Sequence, residues 1–532
     1  MLSEANLAQF TRRGPSAHCV RNDKFPVKAG RASNHIVNYN NVDYYNCMDF
    51  IDRKHELSAL DAFHKRKQAG MLLLYGRRRV GKTLLLDHWV ATRKISNAIF
   101  WTASTYSLPV QLRQLSQTVI QHSPKLSSVL GENYSFPTWE AVFEFLAQLA
   151  GESSEPLVII LDEFTNVIKN EKAITSELQK AWDHTLSKVA NLRLILTGSL
   201  VAIMEQEVVS AQSPLYGRAT AHVHLRPLPF GTLRQIFPDW TTEERVAAYA
   251  VCGGIPAYLG LLREGRNFVE GLRDHCLTGG SIMLTDSLLL LGEQLRDANT
   301  YQSILAAIAS GSHTWGEIAK MAGVTETGLG SYLGTLQNLE YINEQRPVLS
   351  EVRGRKTRYF LSDHFLRFYY RFIVPHTTTI MRGRTHLMID KLRADLRSFI
   401  GLYVFEDICR DWTALKADEG QLGFKPTEIG SYWIANKGEG FQLDVVAANR
   451  SAKRLFIGEC KWGEGDIKNF VLTDLLTRAQ KMPQVAHGWQ ADYALFAREG
   501  FTAATQATAK ALKIQLVTAT QVEDDLVTEV KR

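Results

Sequence analysis

The sequence predicts a multidomain α/β protein: a doubly wound, phosphate-binding first domain, a helical segment, a unit of three helices and a hairpin, and a second α/β domain. Three observations predict it. A strand-like apolar run enters the stretch 76–83, a complete G-x-x-x-x-G-K-[ST] phosphate loop, and a helix-compatible run leaves it. Two continuous apolar stretches, 156–161 and 192–197, have the composition of strands buried on both faces of a parallel sheet. At 532 residues the chain is too long for one core and suits three or four domains.

Composition narrows the class. With 45% hydrophobic and 22% charged residues the chain reads as globular, neither disordered nor fibrous. A net charge of +6 is too mild to single out nucleic acid as a partner. The cysteines (19, 47, 252, 276, 409, 460) form no C-x-x-C, which disfavours a zinc site or disulfide scaffold and suits the cytoplasm. No apolar run reaches the length of a membrane span, and residues 1–30 lack the apolar centre of a secretory signal, so no membrane partner is expected.

Residues 1–47 are polar and aperiodic and read as a poorly ordered extension. Met48 begins the first convincing domain. That leaves open whether 1–47 belong to the native protein, or form a basic arm for nucleic acid. From Phe50, helical patterns over 53–63, 82–93, 108–122 and 138–149, with Thr138 as an N-cap, alternate with strands over 71–75, 99–102, 156–161 and 192–197. Such alternation means a doubly wound sheet over 48–235. Residues 236–300 read as helical. Three short amphipathic helices around Ile304, Trp315 and Leu329 precede a hairpin-like segment over 341–361, the plan of a winged helix spanning 301–375. Trp315 and its neighbours are expected in the core. A linker, 376–395, leads to a last domain over 396–532, in which strands near 432, 441–447, 455–462 and 493–497 follow a helical stretch.

The first domain's chemistry follows from residue type and place. Gly76 and Gly81 let the backbone curl around anionic oxygens, and Arg77, Arg78, Arg79 and Val80 fill the loop between them. Lys82 supplies charge for the phosphates, Thr83 a hydroxyl for Mg²⁺, and Leu84 opens the helix whose positive end faces the ligand. The arginines either flank the phosphates or solvate the outer face. Asp162 and Glu163 end a buried strand, where a doubly wound sheet places its ligand. Asp162 is the expected Mg²⁺ ligand, and Glu163 polarises the attacking water. Thr197 or Ser199, ending the next strand, would contact the γ-phosphate or that water. Arg218 is either a transition-state cation, in cis or in a neighbouring copy, or an ordinary surface arginine. ATP and Mg²⁺ are the expected ligands.

These motifs, with Arg53, Glu56 and Leu57 before the loop, Gly217 and Arg218 after the 192–197 strand, and Gly253, Gly254, Pro256 and Tyr258 further on, resemble the archaeal-type ATPase family. That is a prokaryotic branch of the AAA-like and STAND P-loop ATPases. The resemblance covers roughly 50–375. It implies an ATPase core, a helical lid over 236–300 carrying the Gly-Gly-x-Pro segment, a winged helix and nucleotide-gated switching. It also places Arg53 near the adenine side of the site.

A second constellation lies in the last domain. Asp444 and the Glu459–Lys461 pair fall on adjacent antiparallel strands, with Glu459 and Lys461 on one face. Two carboxylates there can hold a divalent cation, and Lys461 can orient or deprotonate a water for phosphodiester attack. Glu406, on a preceding helix, would add a third oxygen ligand. This D…E-x-K arrangement is similar to the PD-(D/E)XK nuclease fold over roughly 396–520, with Leu443 where that pattern has proline. An alternating strand with surface charges is the plainer alternative. His222 and His224 alternate along a strand with no third ligand and read as structural.

Two functions remain. In the first, a Mg²⁺-dependent ATPase contacts DNA through its winged helix and its nuclease-like domain acts on or senses that DNA. Residues 346–385 support it with nine basic residues (Arg346, Arg353, Arg355, Lys356, Arg358, Arg367, Arg371, Arg382, Arg384) against Glu351 and Asp363. In the second, a nucleotide-gated switch binds a protein partner and carries an inactive nuclease fold. Either allows a homo-oligomer.

Overall fold

The computed structural model describes residues 50–122, 128, 131, 134–285, 295, 297–350, 357–434 and 440–531. The expected extension, 1–47, and the basic residues Arg353, Arg355 and Lys356 lie outside the described residues.

Strands β1 (Gly70–Tyr75), β2 (Ala98–Thr102), β3 (Leu157–Asp162), β4 (Leu192–Gly198) and β5 (Ala221–His224) form one sheet in the order β2-β3-β4-β1-β5, with every pair parallel. Alternation along the strands sends side chains to two cores. Met71, Leu73, Ile159, Leu161, Leu194 and Leu196 meet helices Leu108–His122, Trp139–Glu152 and Ala173–His184. Leu72, Leu74, Val158, Ile160 and Ile195 meet helices Lys54–His64 and Lys82–Thr92. Both faces are covered, which is why the strands read as unbroken apolar runs. Each fully buried Leu or Ile contributes about 1.5–3 kcal/mol. Thr138 caps its helix as expected, its Oγ1 accepting from Ala141 N at 3.2 Å.

A helical segment follows. Helix Thr242–Cys252 starts in a capping box of Thr241 and Glu244 and ends at Gly253, in the left-handed region at φ 61°. Gly254 is left-handed too, at φ 72°, and a Cβ there would lie 2.1 Å from Leu228 O; one on Gly253 would lie 2.9 Å from Phe365 N. The double glycine is therefore a point of close backbone approach, and Pro256 opens the next helix, Pro256–Arg263.

Helices Ala298–Ala309, Trp315–Ala322 and Glu326–Asn338 precede an antiparallel pair, β6 (Ile342–Gln345) and β7 (Arg358–Leu361). One expectation fails here. Trp315 is 37% exposed rather than in the core. It begins its helix, and its indole N–H reaches across to Glu326 O at 3.1 Å. The described basic residues of 346–385 divide between surface and interior. Arg367 is buried and bound to Asp407 at 2.9 Å, and Arg346 pairs with Glu344. The aromatics of the same stretch, Phe365, Phe368, Tyr369, Tyr370 and Phe372, are core residues.

The last sheet runs β12-β11-β10-β9-β8, with β8 (Glu428–Ile434), β9 (Phe441–Asn449), β10 (Arg454–Lys461), β11 (Gln490–Ala497) and β12 (Gln515–Thr518). β8, β9 and β10 pair antiparallel, and β10, β11 and β12 parallel. Among the described residues no helix is long and apolar enough to cross a membrane.

The final helix, Ala519–Lys531, ties this region back to the helical segment. Its Glu523 is 0% exposed and accepts from Arg245, from Arg234 Nη2 at 2.7 Å and from Thr242 Oγ1 at 2.7 Å. Two guanidinium groups around one buried carboxylate leave a large cost when it is removed. Glu523→Ala is expected to destabilise the chain by about 3–5 kcal/mol, read from denaturant midpoints. A loss below about 1 kcal/mol would place this network among weakly coupled surface pairs.

Candidate nucleotide and acidic sites

The loop 76–83 leaves β1 and becomes the first turn of helix Lys82–Thr92. Gly76 sits where a Cβ would meet Leu225 O at 2.2 Å. Gly81 is left-handed (φ 95°) with nothing within 4 Å of a Cβ, so its requirement is conformational. No side chain caps the helix at Gly81, and its first N–H groups are left for an anion.

The strand order assembles the rest. β4 lies between β1 and β3, so its end inserts Thr197 between the loop and the acids of β3. Thr83 Oγ1 donates to Asp162 Oδ2 at 3.0 Å, and Thr197 Oγ1 to Asp162 Oδ1 at 2.5 Å. Thr102 Oγ1, with no signal in the sequence, reaches the same carboxylate at 3.4 Å. Burial, and then the neighbouring Glu163, raise the Asp162 pKa above the usual carboxylate range. Lys82 is buried; its Nζ donates to Gly76 O at 3.0 Å and Arg77 O at 3.2 Å and lies 3.7 Å from Glu163 Oε1.

Glu163 holds a left-handed backbone (φ 52°), sparsely populated for a residue with a side chain. Its N–H donates to Thr197 Oγ1 at 3.0 Å. Its carboxylate accepts from Ser199 N at 3.0 Å and Ser199 Oγ at 2.7 Å. The two adjacent acids are thus turned to different tasks, Asp162 toward Thr83 and Glu163 toward Ser199 and Lys82. The donor set fits Mg–ATP: an uncapped helix start, a buried lysine, and a hydroxyl beside a carboxylate that, among the described residues, has no cation partner at contact distance. Thr83 and Asp162 would hold the Mg²⁺, which when bound neutralises phosphate charge.

Other expected residues fall differently. Arg53 is buried behind the loop, its Nη2 donating to Val80 O at 3.2 Å and its Nη1 paired with Glu56 at 3.1 Å; it braces the loop. Arg77 pairs with Asp363, the N-cap of helix His364–Phe368, and lies 5.9 Å from the Tyr341 ring. Its charge is directed at the three-helix-and-hairpin side of the molecule. Arg78 and Arg79 stay half-buried on the loop, Val80 is buried, and Leu84 is half-buried in the first turn. Arg218 makes a two-pronged contact with Asp183 at 2.8 and 2.7 Å, a partly exposed pair that occupies its guanidinium. His224 stacks on Tyr75 at 4.8 Å and meets Glu340 at 3.3 Å, consistent with a structural part; His222 is exposed.

In the C-terminal sheet, Gly458 pairs with Val445, which brings Asp444 and Glu459 side by side on β9 and β10. Asp444 Oδ2 accepts from Cys460 N at 3.0 Å. Burial, and then Glu459, push the Asp444 pKa up to about 6. Glu459 is 2% exposed; its Oε1 pairs with Lys461 and with Arg478 Nη2 at 2.8 Å, and its buried Oε2 has no hydrogen-bond partner among the described residues. That orphaned oxygen beside a second carboxylate fits a cation. Glu406 is buried on helix Phe405–Asp418, 3.4 Å from Arg410, and burial and Asp444 raise its pKa well above the usual range. Among the described residues no group of three or more His, Cys, Asp or Glu is arranged to hold a metal, so Glu406 does not complete a preformed triad. Arg478 and Arg410 were invisible in the sequence, since each sits in an ordinary amphipathic helix. Arg410 donates to Asp444 O at 2.8 Å.

Comparison with known proteins bears on both regions. A family described as "ATPase domain predominantly from Archaea" matches residues 50–262, and one described as "Archaea bacterial proteins of unknown function" matches 369–473. The uncharacterized protein MJECL04 of Methanocaldococcus jannaschii is 32% identical over 413 residues, 78% of this chain and 87% of that protein. The uncharacterized ATP-binding protein MJ0423 of the same organism is 41% identical over 54 residues, 10% of this chain and 92% of its own. A solved Walker-type ATPase of Pyrococcus abyssi is 23% identical and covers 61% of this chain and 96% of its own, at a TM-score of 0.46. With a phosphate loop, an acidic strand end and a polar strand end converging as an ATPase requires, and with a relative matched along most of its length, this chain belongs to the archaeal-type ATPase family.

Proposed function

We propose that ATP binding and hydrolysis in the first domain drive a conformational change in the unit over 301–375, read as a winged helix that contacts DNA, beside a nuclease-like domain that acts on or senses that DNA. The domain limits are those expected from the sequence: ATPase 48–235, lid 236–300, winged helix 301–375, linker 376–395 and nuclease-like domain 396–532. The observation that carries the coupling is Arg77. It belongs to the phosphate loop, yet it pairs with Asp363 and lies over Tyr341, both from the winged-helix unit. A loop that tightens around phosphates must carry Arg77 with it and pull on that unit.

Hydrogen exchange tests this directly. ATP is expected to change the protection of amides over 341–345 and 358–368 in the parent protein. In Arg77→Ala the nucleotide should still bind while that distant change disappears. An undiminished change in Arg77→Ala would remove this contact from the coupling.

The DNA contact is read from the basic run of the sequence between Arg353 and Arg358. Removing Arg353, Arg355 and Lys356 together should weaken duplex binding and flatten the dependence of log K on log[salt] by up to about 0.9 per lost phosphate contact. An unchanged slope would move the contact elsewhere. The burial of Arg367 favours a second reading, in which the same unit gates a protein partner and the nuclease fold is inactive.

A further inference from the structure

A cavity of about 290 Å³ lies between the β6–β7 hairpin and the C-terminal sheet, apart from the phosphate loop. One wall is aromatic: His313 stacks on Phe360 at 4.3 Å, and Tyr403 meets His313 edge-on at 6.1 Å. Trp433 forms another wall, with the Arg358 guanidinium 4.6 Å from its ring centroid.

The charge around this space is unbalanced. Arg358, Arg367 and Arg410 all line it, against Asp407 and Glu406. Asp407 is shared, meeting Arg367 at 2.9 Å and Arg410 at 2.5 Å. Glu406 lies 3.4 Å from Arg410. Three cations against two carboxylates leave an excess of one positive charge. Arg358 carries the accessible part of it. Its Nη1 donates to Gln442 Oε1 at 3.1 Å, and among the described residues no carboxylate lies within ion-pair distance; Glu317 acts on it only from further off. A guanidinium laid on an indole and aimed by an amide is a pre-oriented fork for phosphate oxygens.

We propose that this cavity is a binding site for a phosphorylated, ring-bearing ligand of one nucleotide's size, with Arg358 on the phosphate and the base against the His313–Phe360–Tyr403 wall. The volume lies just under the range of small-ligand pockets, roughly 300–1,000 Å³, and excludes a duplex. Aromatic walls favour a flat base over a bare phosphate. The same chemistry is presented by a free mononucleotide and by the 5′-terminal nucleotide of a strand. The site stands whether or not the neighbouring acidic pair cleaves DNA.

Calorimetric titration of the full chain carrying Lys82→Ala, which disables the phosphate loop, tests the proposal. The probes are deoxycytidine 5′-monophosphate, a short 5′-phosphorylated oligodeoxycytidylate and the same strand with a 5′-hydroxyl. At least one phosphorylated probe is expected to bind, and adding Arg358→Ala should weaken it by about tenfold or more, the worth of one charge-assisted hydrogen bond. Binding of the mononucleotide assigns a free nucleotide; binding of the 5′-phosphorylated strand alone assigns a strand end. Arg358→Lys, which keeps the charge but loses the fork, should melt like its parent and bind more weakly, and it carries the test if Arg358→Ala fails to fold. The proposal is overturned if no phosphorylated probe binds, or if binding is the same in the Arg358 variants.

Discussion

Glu163→Gln should retain ATP and lose turnover by about 10²–10⁴-fold, the usual worth of a positioned general base. The carboxylate lies 3.7 Å from Lys82 and is held by two donors from Ser199, at the end of a buried strand where the γ-phosphate would face it. The amide is isosteric, but it cannot accept as strongly from the attacking water. Asp162 is untouched in that variant and keeps its contacts with Thr83 and Thr197, so Mg–ATP should still bind. Lys82→Ala differs in kind. It removes the one buried cation of the loop and should abolish turnover while strongly weakening nucleotide binding. Both readouts come from steady-state phosphate release paired with equilibrium binding of a fluorescent ATP analogue. Turnover at the parent rate in Glu163→Gln would overturn the assignment of its role.

The parts legible in the sequence were those coded by contiguous pattern. The phosphate loop is eight consecutive residues, the strands of the first sheet are unbroken apolar runs because both faces are buried, and Thr138 announces its helix by residue type and position. The pairing of β9 with β10 followed from a short turn between alternating strands. What escaped is carried by contacts between distant segments. Nothing local tells that Arg77 meets Asp363, that Ser199 holds Glu163, or that Arg478 reaches Glu459. Charge counting at 346–385 could not foresee the burial of Arg367. A count does not say which way a side chain points, and Arg367 was drawn inward by Asp407.

Asp444→Ala is expected to abolish any divalent-metal-dependent DNA cleavage while leaving ATP turnover intact, since the two sites share no residue. A divalent cation held by Asp444 and Glu459 would polarise a phosphodiester and lower the pKa of a bound water. Lys461, paired with Glu459, would orient that water, so Lys461→Ala should cost most of the rate as well. The acidic pair has a second signature that needs no cleavage. With a folded-state pKa raised up to about 6, Asp444 holds its proton in the native chain after the unfolded chain has lost it. The native state then binds more protons between roughly pH 4 and 6, so this carboxyl makes stability fall as pH rises through that window. Asp444→Asn should flatten the fall, and Mg²⁺ or Mn²⁺ should offset it in the parent by binding the ionised pair. Cleavage that survives Asp444→Ala would place the activity in another site or a contaminant. Metal-dependent stabilisation that Asp444→Asn removes, in the absence of cleavage under any metal, would leave a cation site and favour the inactive-nuclease switch.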